Sequence, residues 1–582
     1  MKSPVSDIAL SPRGLLYKNS VAHRLAAALA RHGVKYIFGQ SLPSMLILAG
    51  ESYGIKQVAY RQENTGGYMA DGYARASGQV AVLTAQNGPA ATLLVAPLAE
   101  AMKASIPIVA LVQDVARDQT DRNAFQELDH ESMFKPVTKL VRRVIDASRI
   151  DDYIDMAFVA AASGRAGPVV LLLPSDLLTE AAPDAGLLVC ERQSSLGHYP
   201  LDRMAPARED IDELATLISQ ANKPIIIAGG GVHSSGACDV LAKIQDLAHL
   251  PVATTVMGKG AVDEMHPLSV GVASYFMGRN GSTHHLRHLI ADADLVVLIG
   301  TRTNQNGTDS WKLYPKSAKF AHIDIDPQEI GRNYEAMRLV GDARLVLEGL
   351  LESLAQVDLS GRAQARQSLE SQIKLGIEAF HAEALDLTTS EATPIRPERV
   401  MAELDRALTE DSIVVADASY SSIWVANYLH SRKAGMRFIT PRGLAGLGWG
   451  LPMALGVYFA NPKSTVYCVV GDGGFAHAWA EMETAVRLGA NVVLIVLNNG
   501  ILAYQKHAEN IKFGDHTNAC DFVAVDHAAI AKAVGAQAVR VERADQLSEQ
   551  IKKAASTPGL TLIDVVTDPN AFPPVTWYEA SQ

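Results

Sequence analysis

Residues 465–499 read TVYCVVGDGGFAHAWAEMETAVRLGANVVLIVLNN. Thr465 through Val470 is an uncharged, mostly β-branched run, the pattern of a strand buried on both faces. It leads directly into Gly471-Asp472-Gly473-Gly474-Phe475, and the Ala- and Glu-rich stretch 478–488 predicts a helix. A second apolar run, 492–497, ends at Asn498-Asn499. Strand, glycine turn, helix and strand form the crossover unit of a parallel sheet, which sets the carboxyl ends of the two strands side by side.

Ligands of α/β proteins sit at such strand ends. Glycines at a strand-to-helix turn let backbone N–H groups approach an anion, and the helix N-terminus favours its charge. Gly471, Gly473 and Gly474 are therefore a candidate cradle for a diphosphate. Mg²⁺ takes near-octahedral oxygen, usually from one or two protein groups together with phosphate oxygens. Asp472, the amide oxygen of Asn499 and the main-chain carbonyl of Ile501 are the candidate ligands. Either half alone reads as a tight turn; both, on strand ends with 24 residues between Gly473 and Asn498, point to a cofactor site.

The same alternation extends outward. Apolar runs at 80–83, 106–112, 169–173, 225–228, 295–299, 321–325, 413–416 and 561–566 alternate with Ala-rich helical stretches. The expected fold class is α/β, with doubly wound parallel sheets. A chain of 582 residues exceeds a usual domain of about 100–200. Polar-rich joints at 184–210 and 358–398 predict three domains, over 1–185, 205–360 and 390–570.

Hydrophobic residues make up 48% and charged residues 20% of the chain, which supports packed cores and argues against disorder. A net charge of −11 without any basic run argues against nucleic acid as a partner. Cys190, Cys238, Cys468 and Cys520 fit no CxxC or zinc spacing and are expected as buried free thiols in a reducing cytoplasm. No apolar stretch approaches the roughly 20 residues that cross a bilayer, and residues 1–17 lack a signal-peptide core. A cytoplasmic protein with no membrane partner is the expectation.

The segment 471–499 resembles the magnesium and diphosphate motif of thiamine-diphosphate enzymes. Residues 60–75, YRQENTGGYMADGYAR, are similar to the E-x-x-A-x-x-M-A-x-G-Y-A-R stretch of the acetolactate synthase and pyruvate oxidase superfamily, with Gly66 where Ala often stands. The resemblance implies that Glu63 is catalytic, sharing a proton with the cofactor's aminopyrimidine and favouring its imino tautomer. Residues 443–452, GLAGLGWGLP, resemble the family's G-G-L-G-x-M-G-x-G-L-P segment. This implies that Leu447, beside Gly446, is the bulky aliphatic residue beneath a bent cofactor. The resemblance further implies pyrimidine-binding, middle and diphosphate-binding domains, and a homodimer or homotetramer in which the first and last of these meet across a subunit boundary.

Within the superfamily the likeness runs toward the acetolactate synthase branch. Ala124-Phe125-Gln126-Glu127 and Lys135-Pro136-Val137-Thr138-Lys139 are similar to its A-F-Q-E…P-V-x-K region, implying Gln126 and Lys135 as substrate contacts. No adjacent His-His pair precedes them, which argues against an aldehyde-releasing decarboxylase. The implied activity is decarboxylation of a small 2-oxo acid, pyruvate foremost, with transfer of the acyl anion equivalent to a carbonyl acceptor.

Three segments depart from that branch. Gly39-Gln40-Ser41-Leu42-Pro43 replaces Gly-Tyr-Pro-Gly, and Tyr504-Gln505-Lys506-His507-Ala508 lacks the Gln-Trp that helps select a 2-oxo acid acceptor. Thr301-Arg302-Thr303-Asn304-Gln305-Asn306-Gly307 replaces the A-R-F-D-D-R of FAD-binding members, although Arg302 leaves room for FAD in the middle domain. Rival readings are a lyase or decarboxylase of another 2-oxo, 2-hydroxy or acyl-CoA substrate, a flavin-dependent oxidase, and a non-catalytic cofactor-binding homologue. His477 and His507 are further candidates for acid–base work near neutral pH.

Overall fold

Three parallel six-stranded sheets flanked by helices make up the computed structural model, which describes residues 19–182 and 192–579. The expectations placed on residues 1–17 and on Cys190 fall outside the described residues. The chain divides into two compact units, Met1–Leu201 and Asp202–Gln582.

In the first unit β1 (Tyr36–Phe38), β2 (Lys56–Val58), β3 (Ala81–Ala85), β4 (Ile108–Asp114), β5 (Leu140–Arg143) and β6 (Val169–Pro174) pair in the order β2-β1-β3-β4-β6-β5. The second unit holds two sheets. One joins β7 (Pro224–Ala228), β8 (Val252–Thr254), β9 (Ser269–Val272), β10 (Leu295–Ile299), β11 (Lys319–Asp324) and β12 (Met337–Val340) as β12-β11-β10-β7-β8-β9. The other joins β13 (Ile413–Ala416), β14 (Phe438–Ile439), β15 (Val466–Gly471), β16 (Val492–Asn498), β17 (Gln537–Val541) and β18 (Leu560–Val566) as β14-β13-β15-β16-β18-β17. Every pair is parallel. The fold is α/β, as the alternating apolar runs predict.

The central strands explain why these runs read so clearly. All seven residues of β16 are buried, and the strand pairs with β15 on one side and β18 on the other, so both faces and both edges are covered. The polar joint at 358–398 is largely one 29-residue helix, Ser360–Thr388.

The expected helix at 478–488 is corrected. Asp472–Ala476 forms a short helix that begins inside the glycine turn, and Glu481–Leu488 forms a second. Between them His477, Ala478, Glu481 and Met482 donate to carbonyls three residues back, which tightens the chain and separates the two. Gly489, with φ 64°, then closes the second helix in the left-handed conformation. No helix among the described residues is long and apolar enough to cross a membrane. Cys238, Cys468 and Cys520 are buried and unpaired.

Candidate functional site

In the last sheet β14 lies on one side of β13 and β15 on the other, so the chain reverses its direction of travel between β13 and β15. Crevices of α/β sheets open at the carboxyl end of such a switch point. A cleft lies there, with an empty volume, mouth included, of about 550 Å³. Its walls include Ser419, Ser421, Leu447, Asp472, Asn499 and Ile501.

Asp472 is 7% exposed and pairs with no basic side chain among the described residues. Its Oδ1 accepts from the Gly473 N–H at 2.8 Å and its Oδ2 from the Gly500 N–H at 2.7 Å. Burial pushes this carboxyl up to about 6, against the opposing effect of backbone N–H groups at Gly500, Gly473 and Asn499. A buried carboxylate without a counter-charge fits a divalent cation. Asn499 Oδ1 accepts from the Ile501 N–H at 3.2 Å. The loop that presents Ile501 is clamped on both sides: Leu502 N–H donates to the Cys520 carbonyl at 2.8 Å and Phe522 N–H to the Gly500 carbonyl at 2.9 Å. Among the described residues no three His, Cys, Asp or Glu side chains converge as a metal cluster. A cation on this wall would rest on mixed oxygen donors and on phosphate.

Asn498 is different. Its amide donates to the Val525 carbonyl and to Asp564 Oδ1, each at 2.9 Å, which ties the end of β16 to its neighbours. The glycines divide likewise. A Cβ on Gly471 would meet only Ser421 Oγ at 3.7 Å, leaving room for a ligand, whereas one on Gly474 would come within 2.3 Å of Asp417 Oδ2. One on Gly473 would come within 2.8 Å of the Phe522 ring.

Two residues at the end of β13 escape the sequence reading. Asp417, 1% exposed, accepts from the N–H groups of Ala418 at 2.9 Å and of Gly448 and Trp449 at 3.0 Å. It thereby fixes the loop that carries Gly446 and Leu447. Asp417→Ala strands those donors and is expected to lower stability by about 2–4 kcal/mol, measured as a fall in the urea midpoint at unchanged slope. Ser419 has φ 69° and ψ −147°, a conformation left almost wholly to glycine. It caps the helix Tyr420–Tyr428, whose N-terminus opens on the cleft through Ser419, Tyr420 and Ser421. An acidic residue directly after a buried four-residue strand was the available signal.

His507 is buried at 5% exposure, with Nε2 3.0 Å from the Pro569 carbonyl and Nδ1 2.9 Å from the Tyr420 hydroxyl. The carbonyl can only accept, so Nε2 carries the proton and Nδ1 accepts from Tyr420, whose oxygen in turn faces Tyr578 at 2.9 Å. Burial lowers the affinity of this imidazole for a second proton. Both nitrogens are thus committed. His477 is exposed on the turn between the two short helices.

In the first unit Glu63 is partly buried and opens the helix Glu63–Ser77 just past β2. Gly66 has a packing reason: a Cβ there would lie 2.1 Å from the Tyr60 ring, and Tyr60 is anchored by its hydroxyl to the Thr84 carbonyl at 2.8 Å. Asp71 and Arg75 of the same stretch form a buried pair at 2.6 Å. Gln126, at φ 62°, accepts from Gln86 Nε2 at 2.7 Å in a loop cluster at the carboxyl end of β3. His130 braces that cluster, accepting the Gly88 N–H at 2.9 Å and standing 3.3 Å from Asp114. Lys135 is exposed on the turn Lys135–Val137 and has no polar partner among the described residues; no bond joins it to Gln126.

Family models match three parts of the chain: the thiamine pyrophosphate enzyme N-terminal TPP binding domain over 19–133, the central domain over 211–350, and the C-terminal TPP binding domain over 417–565. The chain is 32% identical to an acetolactate synthase of Arthrospira platensis, covering 95% of each. It is 31% identical to the acetolactate synthase isozyme 3 large subunit of Escherichia coli, over 94% of this chain and 95% of that one. This chain belongs to the thiamine pyrophosphate enzyme family. Similar coverage, 94% and 92% at 31% identity, holds for a probable acetolactate synthase large subunit of Methanocaldococcus jannaschii.

In this thiamine pyrophosphate enzyme the C-terminal match takes in the cleft from Asp417 through Ile501. Glu63 and Gln126 fall in the N-terminal match and Lys135 just outside it. The central match contains Gly229-Gly230-Gly231, where Gly229 and Gly231 N–H groups donate to the carbonyls of Ile299 at 2.8 Å and Gly300 at 2.9 Å. A Cβ on Gly231 would lie 2.6 Å from Gly300 Cα. That triplet packs β7 against β10 and does not offer those amides to the diphosphate of an FAD.

Proposed function

We propose that the chain decarboxylates a small 2-oxo acid, pyruvate foremost, and joins the remaining acyl unit to a carbonyl acceptor, the reaction type of the acetolactate synthases it resembles. The observation that carries this reading is the buried Asp472 carboxylate, without a cationic partner, at the switch-point cleft of a TPP binding domain. Asp472, Asn499 and the Ile501 carbonyl would hold Mg²⁺. Gly471, Gly473 and Gly474, with the helix N-terminus at Ser419 and Ser421, would hold the diphosphate. Leu447 and Gly446 would support the bent cofactor, and Glu63 would share the pyrimidine proton. Thiamine diphosphate, when bound, supplies the electron sink for the carbon that loses CO₂.

Gln126, braced through Gln86 and His130, and the exposed Lys135 are assigned to the donor. Ligation of this kind is redox-neutral, so it asks no electron of a flavin. The reading includes a homodimer or homotetramer in which Glu63 and the cleft come from different copies. Phe513, Val523 and Phe572, exposed by 69%, 80% and 48%, support a covering surface around the cleft-bearing domain. The three buried, unpaired cysteines support a cytoplasmic setting.

The test is CO₂ release from a panel of 2-oxo acids by protein supplied with thiamine diphosphate and Mg²⁺, with product analysis. Turnover of pyruvate with formation of a new carbon–carbon bond is expected. Two fragments in place of a ligated product would establish a lyase instead, and no turnover of any panel member would remove the proposal.

A further inference from the structure

Arginines of the second unit commonly pair with carboxylates. Arg396 pairs with Asp568 at 2.9 Å, Arg399 with Glu403 at 3.1 Å, Arg432 with Asp405 at 2.9 Å and Arg287 with Asp309 at 2.6 Å. Arg442 pairs with no carboxylate among the described residues, although the chain carries a net charge of −11. It is partly buried, its Nη2 donates to the Ser422 hydroxyl, and its Nε is buried without a partner. The guanidinium carbon sits 5.3 Å from the centre of the Phe276 ring, which gives it an apolar wall.

Its position adjoins the cleft. Ser422 lies on the helix Tyr420–Tyr428, which lines the cleft through Tyr420, Ser421 and Trp424. On the other side of Tyr420 stands Tyr504, ring centres 5.6 Å apart, directly after the lining residue Ala503. The Tyr420 hydroxyl is committed to His507 and Tyr578, but the Tyr504 hydroxyl has no hydrogen-bond partner among the described residues. Burial first, and then the hydroxyls of Tyr275 and Tyr578, disfavour the phenolate of Tyr504 against the smaller opposing effect of the Arg442 charge, so it stands as a donor.

A planar guanidinium with a buried, unpartnered N–H and a phenol O–H that feels its charge match the two oxygens of a carboxylate. We propose that Arg442 and Tyr504 form a carboxylate-binding subsite beside the cleft, which takes the carboxylate of the acceptor. This deepens the reading above and rests on it for the identity of the acceptor. Gln126 and Lys135 are left to the donor. Tyr504 belongs to the segment that lacks the branch's Gln-Trp, so the chain would select its acceptor through different side chains.

The experiment is calorimetric titration of protein carrying thiamine diphosphate and Mg²⁺ with oxamate, an unreactive isostere of pyruvate, and with uncharged ethyl oxamate. The unsubstituted protein should prefer oxamate. Arg442→Gln should lower oxamate affinity about 10- to 100-fold, the scale of a lost hydrogen-bonded charge, and leave ethyl oxamate nearly unchanged. Arg442→Lys should fall between, keeping the charge without the fork, and Tyr504→Phe should cost less than Arg442→Gln. Equal losses for both probes, unchanged oxamate binding in Arg442→Gln, or no preference in the unsubstituted protein would overturn the subsite. Because this reading needs no turnover, failure of the CO₂ assay would remove the reaction and leave the subsite standing.

Discussion

Glu63→Gln is expected to lower kcat by about 100- to 10,000-fold, the range over which a positioned proton-sharing group accelerates a reaction, while thiamine diphosphate and Mg²⁺ stay bound. The amide has the carboxylate's shape, and the local packing does not depend on its charge. Tyr60 and Gly66, which fix the start of the helix Glu63–Ser77, touch each other through ring and backbone. The charge itself, in the first helical turn, is worth about 0.3–1 kcal/mol to the fold. What the amide lacks is a proton that can pass back and forth at near-equal energy. Turnover is read as CO₂ release, and retention of the cofactor by gel filtration followed by fluorescence assay. An unaltered rate would remove Glu63 from the chemistry; a rate lost together with the cofactor would make it a structural residue.

The inner part of each sheet was legible in the sequence and its margins were not. Every apolar run picked out above, from 80–83 to 561–566, falls on an inner strand, because such strands are buried on both faces and read as continuous apolar sequence. The unread strands lie at sheet edges or next to them. Lys56–Val58, Met337–Val340 and Gln537–Val541 are short or half-exposed, so their side chains do not carry a continuous signal. The site follows the same logic. Asp472 and Asn499 are readable together because one crossover unit holds both. Asp417 and Ser419 take their meaning from Gly448, Trp449 and a backbone angle, none of which lies in their own segment. His507 likewise looks like an available base until the tail at Pro569, Phe572 and Tyr578 closes over it, stacking Phe572 on its ring at 4.0 Å.

Asp472→Asn is expected to remove the fall in stability of the cofactor-free protein between pH 4 and pH 7 while abolishing Mg²⁺-dependent cofactor retention, and the two changes have one cause. In the free protein the Asp472 carboxyl rises from the ordinary 3.8 to about 6 because burial penalises its charge. A carboxyl raised on folding favours the folded state in its protonated form, so its contribution is fully present below about pH 4 and is lost as pH rises through about 6. That rise corresponds to up to about 3 kcal/mol at pH 7. The amide carries no charge to bury but leaves one of the Gly473 and Gly500 N–H groups without an acceptor, so urea melts should show Asp472→Asn gaining on the unsubstituted protein by up to about 3 kcal/mol as pH rises from 4 to 7. A cation reverses the balance, since the buried charge that destabilises the free protein is what binds it. Protons then compete with Mg²⁺ for one oxygen pair, and in the unsubstituted protein Mg²⁺ affinity should fall about tenfold between pH 7 and pH 5. In Asp472→Asn it should be at least about 100-fold weaker at pH 7, the loss of one hard anionic ligand, and nearly independent of pH. A variant that keeps Mg²⁺ and its pH dependence would show that the cation sits elsewhere, whereas one whose stability no longer falls between pH 4 and pH 7 and which loses the cation would show that this carboxylate is held unpaired for the metal.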